Sequence, residues 1–443
     1  MKRCLSYFLF AALVPALLFG QQKTREQQVR EDRAKVEAEG FWIYNDLDKA
    51  FVEAKRTGKP LLVVLRCIPC HECVKLDDEL VDQDPVIRPL LDKFICVRQV
   101  STNGLDLDTF QFDTDQSFAV FMLNADGTIY GRFGTRSHRT DWLEDVSLKG
   151  MAEALKGALE LHESYPKNKA ALAGKRGKPL EFSSPEKYPA LEGKYQSNLS
   201  YQGDVVKNCI HCHQIGDARR EVYRSASKPI PENILYPFPH PKITGLILDP
   251  EEKATVKKVT SGSVAEKAGF RAGDEIVSLD GQPLLSMADL QWVLHHTDPA
   301  GAKVPAVVER NGRKVSLSLA LEEGWRRADD ISWRVSAWGL RRMTTGGLKL
   351  EPLPAQQRTK LGIPKDSMAL LVKGVGQYGP HAAAKNAGFR QGDVIVAFNG
   401  RRDLMTDSDF LTYGVTHCKP GEQVQTKILR GGKEMMLKLP MQK

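Results

Sequence analysis

The string Cys-x-x-Cys-His occurs twice in this chain, at residues 67–71 and at residues 209–213. Two thiols at this spacing can close a small disulfide, hold a metal ion, or attach haem covalently with the histidine as an axial ligand. The first copy runs on into Glu72 and Cys73, which creates an overlapping pair, Cys70 and Cys73. The chemistry of each copy therefore depends on the elements that position it.

A strand and a helix frame the first copy. Residues 61–65 form a continuous apolar run, typical of a strand buried on both faces, and the residues after Cys73 have apolar side chains at helical spacing. Cys70 and Cys73 therefore fall in the first turn of a helix, where the positive end of the helix dipole lowers a thiol pKa and favours the thiolate.

This stretch resembles the strand, redox loop and helix of the thioredoxin-like fold, and the resemblance extends over residues 41–165. It implies that Cys70 is the nucleophile and Cys73 the resolving thiol. The family's cis-proline is missing, because Ser117 and Phe118 stand where it is expected. Haem on the first copy, or a metal held by its three cysteines and His71, remains an alternative.

No buried strand precedes the second copy, since residues 201–208 are mostly polar. The string resembles the attachment motif of cytochrome c, which implies a c-type haem with thioethers to Cys209 and Cys212 and with His213 on the iron. No methionine occurs between Met151 and Met287, so His240 is the candidate sixth ligand. A disulfide, or zinc held by this cluster and His211, is the alternative.

The C-terminal half contains an internal repeat. Residues 268–281 recur at 387–400 with nine of 14 positions identical, which predicts two related domains. The repeat resembles the PDZ domains of bacterial periplasmic proteases. The resemblance implies that backbone N–H groups hold a peptide's terminal carboxylate while the peptide adds to a sheet edge. The implied binding residues are Gly245, Leu246, Ile247 and Leu248 in the first domain and Gly347 and Leu348 in the second.

Helices at residues 287–296 and 406–414 are expected to form the other wall of each groove. Those proteases also carry a serine-protease domain with a Gly-x-Ser-x-Gly string. That string is absent here, which predicts that the chain is not a protease.

The N-terminus predicts export. Lys2 and Arg3 precede an apolar run at residues 8–19, which is too short to span a bilayer and is typical of a secretory signal. An uncleaved anchor is the alternative. The formal net charge of +8 is mild for 443 residues and forms no basic stripe, so nucleic acid is not expected as a partner.

The predicted fold class is multidomain α/β and α+β, with a thioredoxin-like domain, an irregular Cys-x-x-Cys-His segment and two PDZ-like β-sandwich or barrel domains. The predicted boundaries are a signal at 1–20, a charged helical lead-in at 21–40, the thioredoxin-like domain at 41–165, a linker at 166–190, the Cys-x-x-Cys-His segment at 191–241, and PDZ-like domains at 242–322 and 335–443.

As a whole the chain resembles secreted bacterial proteins that pair a thioredoxin-like domain with two PDZ domains, some of which carry selenocysteine in the redox site. The predicted function is that of a periplasmic or secreted redox protein. Its dithiol and its haem exchange electrons, and its PDZ domains recruit protein or peptide C-termini. The alternative is a non-enzymatic PDZ scaffold with structural or metal-binding cysteines.

Overall fold

The computed structural model describes residues 23–66, 68, 84–116, 118–136 and 145–443. The N-terminal unit is built on one mixed sheet whose strands lie in the order β1-β3-β2-β4-β5. Strands β1, β3 and β2 are parallel, whereas β4 and β5 run antiparallel to their neighbours. The strands are β1 Ile43–Tyr44, β2 Leu61–Arg66, β3 Ile95–Gln99, β4 Phe118–Leu123 and β5 Ile129–Phe133.

Both faces of this sheet are covered, which explains the continuous apolar runs of the sequence. Leu62 and Val64 of β2 face one core, and Leu61, Val63 and Leu65 face another. Helices lie on both sides: α1 Arg25–Glu39, α2 Leu47–Thr57, α3 Ile87–Leu91 and α4 Leu148–Glu163. The turn between β4 and β5 places Gly127 at φ 82°, as expected for the glycine of a tight hairpin.

Residues 166–241 pack against the sheet and contain more regular structure than the sequence analysis predicted. The helices here are α5 Lys169–Leu172, α6 Val205–Asn208, α7 Cys212–Ser225 and α8 Glu232–Leu235. Helix α7 buries Ile215 and Ala218 against the N-terminal unit. It also buries Arg220 and Arg224, which are 1% and 3% exposed and which look like surface residues in the sequence.

The first repeat forms a four-stranded sheet in the order β11-β10-β8-β9 and a separate two-stranded sheet of β6 and β7. Its elements are β6 Leu246–Leu248, β7 Val256–Val259, α9 Val264–Ala268, β8 Glu275–Leu279, β9 Gln282–Pro283, α10 Met287–His296, β10 Ala302–Arg310 and β11 Arg313–Leu321. Helix α10 has the bounds that the sequence predicted.

The second repeat is a five-stranded sheet in the order β12-β13-β14-β15-β16. Its elements are α11 Ala337–Thr345, β12 Leu348–Pro352, α12 Ala355–Lys360, β13 Leu370–Val375, α13 Ala383–Asn386, β14 Val394–Phe398, α14 Asp407–His417, β15 Gln423–Arg430 and β16 Lys433–Pro440. Helix α14 starts and ends somewhat later than the predicted helix at 406–414, because Thr406 is its N-cap.

Buried polar contacts join the units. Arg334, in the segment before α11, pairs with Asp113 of the N-terminal unit at 2.7 Å, and Asp115 accepts a hydrogen bond from the Ser336 N–H at 2.7 Å. None of the helices in the described ranges is long and apolar enough to cross a membrane.

Candidate functional site

A left-handed glycine introduces strand β6. Gly245 has φ 91°, and its carbonyl accepts a hydrogen bond from the Thr260 N–H at 2.9 Å. A Cβ at this position would lie 2.1 Å from the Ser263 Oγ. Glycine is therefore required both by the backbone conformation and by the close approach of the neighbouring loop.

The second repeat reproduces this arrangement before β12. Gly347 also has φ 91°, and its carbonyl accepts a hydrogen bond from the Gly376 N–H at 2.9 Å. A Cβ at position 347 would lie 2.0 Å from the His381 carbonyl oxygen. The two predicted carboxylate-binding loops thus have the same local geometry. The length of chain between each loop and the repeated sequence, 268–281 or 387–400, differs between the two domains.

Both strands that follow these glycines are sheet edges. Strand β6 pairs with β7 in a two-stranded sheet, and β12 is the end strand of its five-stranded sheet. Their alternate residues face the core: Leu246 and Leu248 are buried, while Ile247 between them is half-buried. Leu348 is buried in the same way. Within the described ranges each strand therefore has one edge without a strand partner.

A helix lies beside each edge. Leu290 and Leu294 of α10 share a core with the leucines of β6, and Phe410 of α14 shares a core with Leu348 and Leu350 of β12. Each repeat thus combines a free strand edge, a glycine loop and an apolar helix wall. This combination can accept an extended peptide as an added strand and hold its terminal carboxylate on backbone N–H groups.

The opposite face of α10 is fixed to the N-terminal unit. Nine of its ten residues are buried. The Asp289 carboxylate accepts hydrogen bonds from the Arg132 and Leu285 N–H groups at 3.1 and 2.9 Å, and it pairs with Lys175 at 2.9 Å. Burial lowers the pKa of Lys175, although Asp289 opposes that effect. The Trp292 indole N–H donates to the Gly174 carbonyl at 2.9 Å.

Sequence reasoning missed this second face. Asp289, Gln291 and Trp292 alternate with the apolar residues that face β6, and their polar atoms are buried. When a helix is buried on all sides and still carries an aspartate and a glutamine, those side chains need hydrogen-bond partners on a neighbouring domain. Polar residues in an otherwise apolar helix were the sequence feature that could have indicated this domain contact. The sequence alone does not identify the residues on the other side.

The second cysteine cluster is tightly packed. Cys209 is buried, and Cys212 is half-buried at the start of α7. Burial raises the pKa of Cys209 to about 11. The rings of His211 and His213 stack with their centroids 5.9 Å apart, and burial lowers the pKa of both.

These residues do not fit the expected haem. The cavity that touches Cys209 and Cys212 has a volume of about 10 Å³, which is room for a single water molecule. The proposed sixth ligand, His240, is buried beside Asp145, with 3.3 Å between its Nε2 and the carboxylate. Across the described ranges, no group of three or more His, Cys, Asp or Glu side chains is arranged to hold a metal ion.

The first cysteine cluster, with the predicted catalytic residues Cys70 and Cys73, lies outside the described residues. The strand that leads to it is described, and Leu65 and Arg66 at its end line the small cavity that contains Cys209 and Cys212. The chain therefore brings its second cysteine cluster to the carboxyl end of β2.

Comparison with known families identifies the domains. A family model described as Thioredoxin-like matches residues 42–125, and a model described as PDZ domain matches residues 240–321 and 366–441. The chain contains a thioredoxin-like domain followed by two PDZ domains, which confirms the predicted fold class. PDZ domains support peptide binding, in agreement with the edge strand, glycine loop and helix found in each repeat.

The curated relatives are named as proteases. A probable periplasmic serine endoprotease DegP-like from Marinomonas sp. (strain MWYL1) is 29% identical over 190 residues, which are 43% of this chain and 37% of the relative. The periplasmic pH-dependent serine endoprotease DegQ of Escherichia coli (strain K12) is 41% identical over 75 residues, 17% of this chain and 16% of the relative. The chain thus spans well under half the length of these relatives.

A solved structure of the HtrA-type protease AlgW with a decapeptide aligns with 32% of this chain and 41% of its own, at 18% identity and a TM-score of 0.21. The similarity in sequence to DegP-like and DegQ proteins is thus the comparison that bears on function.

These relatives contradict the predicted function. The cysteine motifs predicted a redox protein with electron transfer to haem, and the missing Gly-x-Ser-x-Gly string predicted that the chain is not a protease, whereas the relatives are named serine endoproteases. The exclusion rested on one missing string. A catalytic triad is defined by its geometry and draws residues from distant positions, so the absence of Gly-x-Ser-x-Gly was a weak reason. The redox prediction rested on short cysteine motifs, and it too was wrong.

Proposed function

We propose that this chain binds the C-terminal segments of exported proteins through its two PDZ domains, and that this recognition serves proteolysis by a serine endoprotease outside the cytoplasm. The observation that carries the proposal is the repeated arrangement of edge strand, glycine loop and helix. Two strand edges, each introduced by a glycine at φ 91°, lie beside an apolar helix in two domains of one chain.

The grooves suggest how a peptide is held. The main chain of the peptide pairs with the free edge of β6 or β12, which provides affinity with little dependence on sequence. Its terminal carboxylate lies against the backbone N–H groups that follow Gly245 or Gly347, where aligned N–H dipoles favour an anion. The side chains that the edge strand and the neighbouring helix share are apolar in both domains, so an apolar terminal residue is favoured.

The proteolytic context comes from the relatives. DegP-like and DegQ proteins are named periplasmic serine endoproteases, and the PDZ domains of this chain resemble theirs. The apolar run at residues 8–19 with its preceding basic residues favours the same compartment.

Peptide binding is tested by fluorescence anisotropy with a labelled decapeptide that ends in Val-Leu. The matched probe is the same peptide with a C-terminal amide. We expect the free carboxylate to bind at least ~10-fold more tightly, because a hydrogen-bonded charge contributes ~1.5–3 kcal/mol. Equal affinity of the two peptides, or binding of neither, would contradict recognition of C-termini.

The proteolytic role is tested by cleavage of an unfolded reporter protein that ends in the same ten residues. Cleavage is measured with the full chain alone and with an added periplasmic serine endoprotease, and a reporter ending in Asp-Asp serves as control. We expect the chain to accelerate cleavage of the Val-Leu reporter, and a serine-directed inhibitor to abolish it. Cleavage that never depends on the chain would remove the proteolytic part of the proposal.

A further inference from the structure

Helix α11 is fixed to the loop that is proposed to hold a peptide carboxylate in the second PDZ domain. The helix ends at Thr345, directly before Gly346 and Gly347. The N–H groups of both glycines donate to the Arg341 carbonyl in α11, which caps the C-terminus of the helix. Two N–H groups at the start of this loop are therefore already used by α11.

The same helix reaches the open edge of strand β12. The Gly347 carbonyl accepts a hydrogen bond from the Gly376 N–H and so points to the β13 side of the strand. Because the hydrogen-bonding groups of successive residues point to opposite sides of a strand, the Leu348 carbonyl points to the open edge. It accepts a hydrogen bond there from the Thr345 hydroxyl at 3.0 Å. A peptide that adds to β12 needs this carbonyl for its own N–H.

Helix α11 also packs on α14. Leu340 and Met343 of α11 are buried and share a core with residues of α14. A Cβ at Gly414 would lie 2.6 Å from the Thr344 Cβ, so the two helices approach closely at this glycine. The residues of α14 that take part are spaced by three or four and therefore lie on one face: Asp407, Leu411, Gly414 and Val415.

This face of α14 borders strand β12. Phe410 of α14 shares a core with Leu348 and Leu350 of β12. On the helix, Phe410 is next to Asp407 and Gly414, which precede and follow it by three and four residues. Helix α11 contacts both β12 and α14, and it therefore lies where a peptide that runs between them has to go.

A buried ion pair and an anchor hold α11 in this place. The Arg341 guanidinium pairs with the Asp407 carboxylate of α14, and both side chains are buried. At the other end of α11, the N-cap residue Ser336 donates from its N–H and from its hydroxyl to Asp115 of the thioredoxin-like domain, both at 2.7 Å. The position of α11 therefore depends on contacts with both domains.

We propose that α11 is an autoinhibitory lid on the second PDZ domain, and that a peptide C-terminus binds between β12 and α14 only after α11 has moved away from α14. The proposal rests on the proposed function, since the covered site is the one inferred to hold C-termini. Closure lowers the apparent affinity of the site in proportion to the fraction of molecules in which α11 is released. A change that destabilises the closed position of α11 therefore tightens peptide binding.

Leu340→Ala tests the proposal, because it removes buried contacts of α11 and leaves the residues of β12 and α14 unchanged. Isothermal titration of the full chain with the Val-Leu decapeptide measures its effect. One of the two dissociation constants is expected to fall about tenfold or more, because the closed position loses part of its packing, and the other is expected to stay the same. Leu361→Ala removes an exposed leucine of the same domain and is expected to change neither constant.

Hydrogen–deuterium exchange of the wild-type chain provides a second measurement. With saturating peptide, the amides of residues 337–345 in α11 are expected to exchange about tenfold faster or more than in the free chain, because the bound state requires the helix to be released. The amides of residues 47–57 in α2, on the thioredoxin-like domain, are expected to exchange at the same rate in both samples.

The proposal is overturned if folded Leu340→Ala binds the peptide with the wild-type constants, or if residues 337–345 exchange no faster while two peptides are bound. If a thermal melt shows that Leu340→Ala is unfolded, Gly414→Ala takes its place, because alanine favours helix α14 while its Cβ displaces Thr344. Unchanged constants in that variant also overturn the proposal. If every variant binds the decapeptide no better than its C-terminal amide, the proposed function itself is contradicted, so the two failures are told apart.

Discussion

Replacing Gly347 with alanine tests whether the loop before β12 holds the peptide carboxylate in the second PDZ domain. Gly392 in the same domain provides a matched control, because both glycines have φ 91°. Alanine is disfavoured in this left-handed region by ~1–2 kcal/mol. This backbone penalty is common to both substitutions and cancels when the two variants are compared.

The surroundings of the added Cβ differ sharply. At position 347 it would lie 2.0 Å from the His381 carbonyl oxygen and 2.8 Å from the carbonyl carbon, whereas at position 392 no atom lies within 4 Å. Backbone atoms have to move by more than ~1 Å to restore normal contact. Such overpacking costs ~1–3 kcal/mol, and displacement of the loop also weakens the Gly376 N–H bond to the Gly347 carbonyl, worth ~1 kcal/mol.

The free energy of unfolding is therefore expected to fall by ~1–2 kcal/mol for Gly392→Ala and by ~3–6 kcal/mol for Gly347→Ala. Urea denaturation measures both values. Isothermal titration with the Val-Leu decapeptide measures how many peptides bind each chain. We expect two peptides for the wild type and for Gly392→Ala, and one for Gly347→Ala, since the loop that aims the N–H groups at the carboxylate has shifted.

Two results would refute this reasoning. If both variants lose the same stability, the close approach of His381 is not a constraint on the loop. If Gly347→Ala is folded and still binds two peptides, the carboxylate is held elsewhere in the second PDZ domain, and the geometric repeat of Gly245 and Gly347 has no bearing on binding.

Three further outcomes are expected from the buried polar groups. Lys175→Met leaves the Asp289 carboxylate buried without its cation and is expected to cost ~3 kcal/mol in urea denaturation, most of which the double variant with Asp289→Asn recovers; additive losses would contradict coupling. Burial raises the pKa of Asp329 to about 7, so this group keeps a proton in the folded state that the unfolded chain releases above pH ~4. Its contribution to stability is therefore lost as the pH rises through 7. The free energy of unfolding of Asp329→Asn is expected to exceed that of the wild type by at most ~4 kcal/mol at pH 8, and not to exceed it at pH 4. A difference between the two proteins that does not change with pH would contradict this. Alkylation at pH 8 followed by mass spectrometry should modify Cys209 more slowly in the folded chain than in the urea-unfolded chain, because burial raises its pKa to about 11. Equal rates would contradict the burial of Cys209.

Local patterns in the sequence predicted the elements that local interactions specify. The apolar run at 61–65 became strand β2, and residues 124–127 became the hairpin turn that joins β4 to β5. Helix α10 has its predicted bounds because Ser286 caps its N-terminus through the Ala288 N–H and its apolar residues recur at helical spacing. Each of these signals lies within a few residues of the element that it describes.

Long-range pairs explain what the sequence did not show. The region predicted as a linker buries Lys175, whose partner Asp289 is 114 residues away. Helix α7 was missed because Arg224 looked like a surface residue, whereas its Nη1 donates at 2.6 Å to the Cys418 carbonyl in the second PDZ domain. A buried arginine is recognisable only from the carbonyls and carboxylates around it, and those come from distant parts of the chain.

The two faces of α10 tie the first PDZ groove to the thioredoxin-like domain. One face, with Leu290 and Leu294, packs in the core that also contains the leucines of β6, next to the proposed peptide site. The other face is held to β5 by Asp289 through the Arg132 N–H. A peptide that widens the groove by moving α10 has to break this contact, so its binding free energy includes the cost of releasing the helix from the neighbouring domain. The coupling between this contact and peptide binding is reciprocal. Any change that weakens the contact of α10 with the thioredoxin-like domain therefore also changes the affinity of the first PDZ domain for peptides whose binding requires α10 to move.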